Sequence, residues 1–403
     1  MKKFIILFSV VFIFLITQNL KAQWQLCYGT ANLQVYSIAA SGNNIFVGVE
    51  HNGVYRSTNN GISFTQTALN NRNVGAVAVN GNYIFAGTDF DSSFTAYIYL
   101  STNNGINWSQ SFSNESSFSS FTVCGGYVFA GTFENGIYKS ANNGTSWTKT
   151  CNEWCSELVS SGNNIIEGYS GIFLSANYGG SWTCISNDDS IFWGDKYVMS
   201  IAASDNRIFT GLELSYVYLT TNNGTNWRPT GLSGCIYALA ISGNNIFAGE
   251  GEGLGGVKVS TNNGTNWVDR SEGGLQCVNC LCIANNYIFA GTDLHGVYRR
   301  PLTELIGIKQ ISEIVPSSYS LMQNYPNPFN PSTSIRYEIP KTGLVKIVIF
   351  DENGREVESL VNEKQTAGTY EATWDASKYP SGVYFYRLTT ESYSETKKMI
   401  LLK

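Results

Sequence analysis

The chain is short of charge, of histidine and of long apolar runs. Charged side chains make up 14% of its 403 residues, and histidines number two. Long surface helices carry charged faces, so this scarcity disfavours them. The abundance of Gly, Asn, Ser, Thr and aromatic residues favours short strands joined by tight turns instead. An all-β chain is expected. Beyond residue 22 nothing approaches the roughly 20 apolar residues that a spanning helix needs, so no transmembrane span is expected in the mature chain. Residues 1–22 read as a signal peptide. Lys2 and Lys3 precede an apolar run from Phe4 to Ile16, and small Ala22 suits cleavage before Gln23. The remainder holds 22 basic against 30 acidic residues, which argues against a nucleic-acid partner and for a basic or cationic one.

Nine cysteines are an odd number, so at least one is unpaired or pairs between chains. Cys277, Cys280 and Cys282 are spaced like part of a metal knuckle, but no second Cys pair or nearby His completes a four-ligand set. Cys280 and Cys282 also stand where Ser37 and Ala39 stand in the first repeat. They read as small buried or disulfide-bonded thiols, with neither metal nor cofactor implied.

A repeat of about forty residues dominates the chain. Its line is I-F-A-G-T, a variable turn, then G-V-Y-R-S-T-N-N-G-x-x-W, with the turn glycine at Gly61, Gly105, Gly144, Gly179, Gly224 and Gly264. A seventh copy starts at Ile288 but meets Arg300-Pro301 where N-N-G should follow. Each unit holds four strand-like pieces, as in Tyr36–Ala40, Ile45–Val49, Val54–Ser57 and a strand opening at Phe64. Four antiparallel strands at this period describe a propeller blade. Trp24 lies as far ahead of the first small-residue strand as Phe64 lies ahead of its own. The N-terminal strand is therefore expected to complete the seventh blade and remove an open edge. Residues 23–303 are expected to form a seven-bladed β-propeller of four-stranded blades.

The motif Ser57-Thr58-Asn59-Asn60-Gly61-Ile62-Ser63-Phe64 and its five better copies, ending at Trp108, Trp147, Trp182, Trp227 and Trp267, resemble the Asp-box of sialidase-like (BNR-type) propellers. Asn59, Asn103, Asn142, Asn177, Asn222 and Asn262 replace the family's Asp, keeping the oxygen and losing the charge. The resemblance implies structural turns, in which a short polar side chain folds back on a hairpin backbone. Catalysis does not follow, since sialidases use an arginine triad, an acid/base and a Tyr-Glu pair that find no clear counterpart among Arg56, Arg72, Arg207, Arg228, Arg270, Arg299 and Arg300. No catalytic residue is assigned.

After a linker at 304–318 the pattern changes. Residues 324–331 read N-Y-P-N-P-F-N-P, and strands are expected at 333–338, 344–350, 368–374, 382–389 and 395–402, making a small β-sandwich. Together with Ile349-Phe350-Asp351, Ser381 to Leu388 and the terminal Lys397 to Lys403, this segment, 319–403, resembles the type A sorting domain of type IX secretion substrates. That resemblance implies the type IX machinery as a partner and a secreted or outer-membrane cell-surface location.

The turns between second and third strands share a face with the connections between blades, and this face carries the variable sequence. Glu50, Asp89, Glu213 and Asp293 recur there, with Glu134 and Glu250 displaced by one position, beside His51 and His295 of blades one and seven. Such a rim suits a cation or a basic ligand, or simply solvated strand ends. Phe90, Phe94, Trp154, Phe192 and Trp193 lie in the same class of loops and could stack on sugars or cover blade seams. The expected function is a noncatalytic binding or adhesion protein with a glycan or protein ligand; a sialidase-like glycoside hydrolase is the alternative, marked by two carboxylates about 5 to 10 Å apart.

Overall fold

The computed structural model describes residues 23–186, 197–251, 255–312, 314–377 and 379–403. Nearly all regular structure in them is antiparallel sheet. Seven four-stranded sheets follow one another between Trp24 and Pro301. The first is Val35–Ser41, Asn44–Val49, Gly53–Ser57 and Thr65–Gln66, within a residue or two of the strands expected there. The opening strand of each sheet packs against that of the next, and the strand Val278–Ala284 of the seventh packs back on Val35–Ser41. The arrangement is propeller-like. Gln25–Leu26 supplies the fourth strand of the seventh sheet, with Gln25 opposite Arg299 and Leu26 opposite Tyr298. Trp24 anchors it, buried and donating its indole N–H to the Arg270 carbonyl at 2.7 Å.

Close approach between sheets explains the small residues. Gly48 pairs with Ser37, and a Cβ there would stand 2.6 Å from the Val74 carbonyl oxygen of the next sheet. Around this line, Phe46, Phe85, Phe129, Phe209, Phe247 and Phe289 are fully buried between sheets.

The six S/T-x-N-x-G turns share one hydrogen-bond pattern. The Ser57 hydroxyl accepts from the Gly61 amide at 2.9 Å and donates to Asn59 Oδ1 at 2.8 Å, which in turn accepts from the Ser63 amide at 3.0 Å. Asn60 and Gly61 have φ of 57° and 74°, so two left-handed residues in succession tighten the hairpin. Each turn seats on the preceding sheet: a Cβ on Gly144 would come within 2.5 Å of the Phe85 ring. The seventh sheet has no such turn. A one-turn helix, Leu302–Leu305, takes its place, and the Leu302 amide donates to Asn286 as that of Asn60 does to Asn43. Buried Arg300 ties this corner to Glu272 and Glu304 at 2.9 and 3.5 Å.

Two further four-stranded sheets follow, sharing a core that includes Tyr337, Tyr370, Trp374 and Tyr386. The segment 304–318 is not only connection. Ile308–Ser312 is a strand on the edge of Gly368–Asp375, where it completes an open ladder although its own sequence does not alternate. The strand Glu356–Gln365 was also not expected from sequence. It is a bulged edge strand with a mostly polar, half-exposed surface, so it lacks the clean apolar alternation of its partner Gly343–Phe350.

Candidate functional site

One face of the ring collects the turns between second and third strands. The amides of Glu50, Asp89, Glu213 and Asp293 donate to the carbonyls of Gln34, Asn73, Tyr197 and Cys277, the residues that precede the inner strands. Phe133 and Gly251 hold the same place in the third and sixth sheets. The four acidic residues are thus equivalent by backbone hydrogen bonding, with Glu134 and Glu250 to either side of the register.

Three of them converge. The Tyr36 hydroxyl is pushed up to about 12 by its burial, then by Glu50, and further by Asp89 and Asp293, so carboxylates of the seventh, first and second sheets all act on one phenol. Glu213 stays on the fifth sheet's turn. Glu250 is taken up by Lys258 at 3.5 Å, which also holds Asp269 at 2.6 Å. The histidines do not join the cluster as ligands. His51 is exposed with its Nε2 3.9 Å from Glu50, and His295 turns its Nδ1 back onto the Asp293 carbonyl of its own turn. Among the described residues no group of three His, Cys, Asp or Glu side chains could hold a metal ion, so the rim's Glu50, His51, Asp293 and His295 are not gathered into a metal-ligand set. No disulfide joins the cysteines among the described residues, and desolvation pushes the half-buried Cys280 and Cys282 thiols far up.

The aromatic residues give a second feature. Trp154, 44% exposed, lies 5.4 Å from Tyr169 between ring centres, and Tyr169 lies 4.9 Å from Tyr197. Phe90 and Phe94 pair at 6.1 Å in the second sheet's turn, both exposed. Sequence reasoning missed Tyr169 and Tyr197, although both flank positions that the repeat marks: Tyr169 follows the second-strand glycine and Tyr197 precedes an inner strand. Phe192 and Trp193 lie outside the described residues.

The axis carries a third feature that went unread. The inner strands of all seven sheets enclose a cavity of about 160 Å³. Glu157 lines it at the register position that elsewhere holds Ser37, Ala76, Ser120, Ser200, Ala238 and Cys280, each opposite a glycine. Desolvation pushes its carboxyl up to about 7 against one offsetting hydrogen bond, donated by Ser120 at 3.2 Å. Glu167, on the adjacent strand, is fully buried with Oε2 unpartnered, and burial pushes it up to about 9. Comparing repeat positions column by column would have singled out both.

The C-terminal sheets show why the proline-rich motif is shaped as it is. Buried Asn324 is held by the protein on every side: its backbone amide donates to the Tyr386 hydroxyl at 2.8 Å, its side-chain amide donates to Thr333 at 2.9 Å, and its Oδ1 accepts from Gln323 at 2.7 Å. Phe329 fills the core against Trp374, and Asn327 Oδ1 accepts from the Ile400 amide of the final strand. The motif therefore ties the start of this unit to its last strand.

Residues 323–402 match the family model described as a secretion system C-terminal sorting domain. No curated protein matches the chain in sequence. Among solved structures the chain is similar to YCF48 from Cyanidioschyzon merolae, at 15% identity and a TM-score of 0.55 over 69% of this chain and 98% of that one. It is similar also to YCF48 bound to D1 peptide, at 12% identity and 0.52 over 69% and 96%. An ancestral GH74 enzyme aligns at 18% identity and 0.57, covering 94% of this chain and 63% of the other. At these identities the likeness concerns the fold, which is that of β-propellers. The sorting domain marks the chain as a secreted or cell-surface protein that engages the type IX secretion machinery.

Proposed function

We propose that the protein is a noncatalytic binding or adhesion module, a seven-bladed Asp-box propeller over residues 23–303, delivered to the cell exterior by a β-sandwich sorting domain over 319–403. The turn hydrogen bonds of Asn59 and its five counterparts support the Asp-box assignment, since Asn performs the backbone-folding role of the Asp. The common core of the two C-terminal sheets supports the sandwich.

The observation that carries the binding reading is the row Trp154, Tyr169 and Tyr197 across neighbouring sheets of the variable face, with Trp154 and Tyr197 exposed and Tyr169 half-buried between them. Buried rings cover seams, whereas a half-exposed Trp continued by two tyrosines offers a flat surface of the kind on which sugar rings or peptide side chains stack. YCF48, of similar fold, is solved with a peptide bound. The reading favours a glycan ligand, and the test is a glycan array probed with the mature chain, residues 23–403, alongside fluorogenic glycosides. Binding without turnover, lost in Trp154→Ala and kept in Phe90→Ala, is the expected result. Turnover removed by replacing Glu50, Asp89 or Asp293 would instead establish a hydrolase. Silence on glycans with capture of a peptide that depends on Trp154 would move the ligand class to protein.

A further inference from the structure

Six of the seven sheets place Ser, Ala or Cys at the point where the inner strand meets the axis, and the fourth places Glu157. A carboxyl in that position costs desolvation unless something compensates it. Among the described residues, the Ser120 hydroxyl is its one hydrogen-bond partner, and Glu157 is the only charged side chain lining the cavity. No basic group answers it. The Ser37 hydroxyl, on the same lining, is buried without a partner. Tyr36, Phe121 and Tyr237 supply aromatic wall. Tyr36 also stands among Glu50, Asp89 and Asp293, so the cavity and the acidic rim meet at one residue.

We propose that the axial cavity binds a primary ammonium group on a short alkyl stem, with Glu157 as counter-ion. An ammonium carries three donors and no acceptor, which matches a cavity whose one charged lining group is a carboxylate. The aromatic walls accommodate the stem and attract the cation through their faces. The three rim carboxylates raise the local concentration of cations at the mouth. This site is separate from the Trp154 row, and neither depends on the other. The ammonium can belong to a free alkylamine or to a lysine side chain.

The test is calorimetric titration of the mature chain at pH 8 and low salt with n-butylamine, n-butanol and the peptide Gly-Gly-Lys-Gly-Gly. Butylamine or the peptide should bind in the millimolar range or tighter and butanol should not, the choice between the first two naming the source. Glu157→Gln should weaken binding about ten-fold or more, the scale of one charge-assisted hydrogen bond. Glu157→Ser, which installs the residue of three other sheets, should fold and lose binding likewise, while Trp154→Ala leaves it unchanged. Equal binding of butanol and butylamine, equal binding by wild type and both Glu157 variants, or no binding by folded wild type overturns the proposal.

Discussion

Glu167 occupies a column that reads Val47, Ala86, Ala130, Thr210, Ala248 and Ala290 in the other sheets, so Glu167→Ala restores the repeat's own residue. Burial, and after it the Glu153 carboxylate, lift the Glu167 pKa from 4.5 to about 9. The folded state therefore holds a proton that the unfolded chain releases above pH 4.5. Stability falls as pH rises, by about 1.4 kcal/mol per unit, across the window from 4.5 to 9. By pH 7 the loss is about 3 kcal/mol, and by pH 9 about 6 kcal/mol. Against this, alanine gives up the burial of one methylene, about 0.8 kcal/mol, and leaves a cavity that costs about as much again. The variant should accordingly be less stable than wild type at pH 5, equal at about pH 6, and more stable by about 4 kcal/mol at pH 9. Glu157, lifted to about 7, adds its own slope below pH 7, so the interval from 7 to 9 isolates Glu167. Urea unfolding midpoints of the two proteins at pH 5, 7, 8 and 9 read the crossing directly. Parallel curves for wild type and Glu167→Ala between pH 7 and 9 would refute the reasoning, because they would mean that Glu167 is already ionised in the folded state.

Other perturbations test the ring, its turns and its delivery. Asn103→Ala removes the acceptor of the Asn107 amide at 2.9 Å and of the Ser101 hydroxyl at 3.1 Å, and should cost about 1 to 2 kcal/mol in thermal unfolding, with Asn103→Asp costing less. Equal losses for the two variants would show that the oxygen is not what holds the turn. Trp24→Ala should cost about 3 to 5 kcal/mol and expose the amides of residues 296–300 to hydrogen exchange, since it frees the strand that closes the seventh sheet. Unchanged protection there would mean that closure does not rest on this anchor. Deleting residues 319–403 should leave the propeller inside the outer membrane on cell fractionation. Normal appearance outside the cell would separate export from the sorting domain.

The strands of the propeller were legible because each obeys local rules that recur seven times. Small residues mark the inner strand, I-F-A-G the second and N-N-G a two-residue left-handed turn, and Trp24 could be assigned to the seventh sheet by spacing alone. The C-terminal unit was less legible at its edges. Glu356–Gln365 and Ile308–Ser312 are strands because a partner with open hydrogen-bonding groups lies beside them, and that partner is set by tertiary structure rather than by their own pattern. The candidate site divides in the same way. Glu50, Asp89 and Asp293 were found by position, but only geometry gathers them about Tyr36 and leaves Glu213 and Glu250 aside.

A repeat also supplies its own reference for what a position requires. Where six sheets carry an uncharged residue and one carries a carboxyl, fold alone does not account for the exception, since the fold is satisfied six times without it. Glu157 and Glu167 are two such exceptions, and both fall in the fourth sheet, next to the Trp154, Tyr169 and Tyr197 row. Their combined desolvation opposes folding at neutral pH, so a sheet built from the repeat's usual residues would be the more stable one. The departure of chemistry from repeat consensus thus concentrates in one sector of the ring, and that sector also presents the exposed aromatic surface.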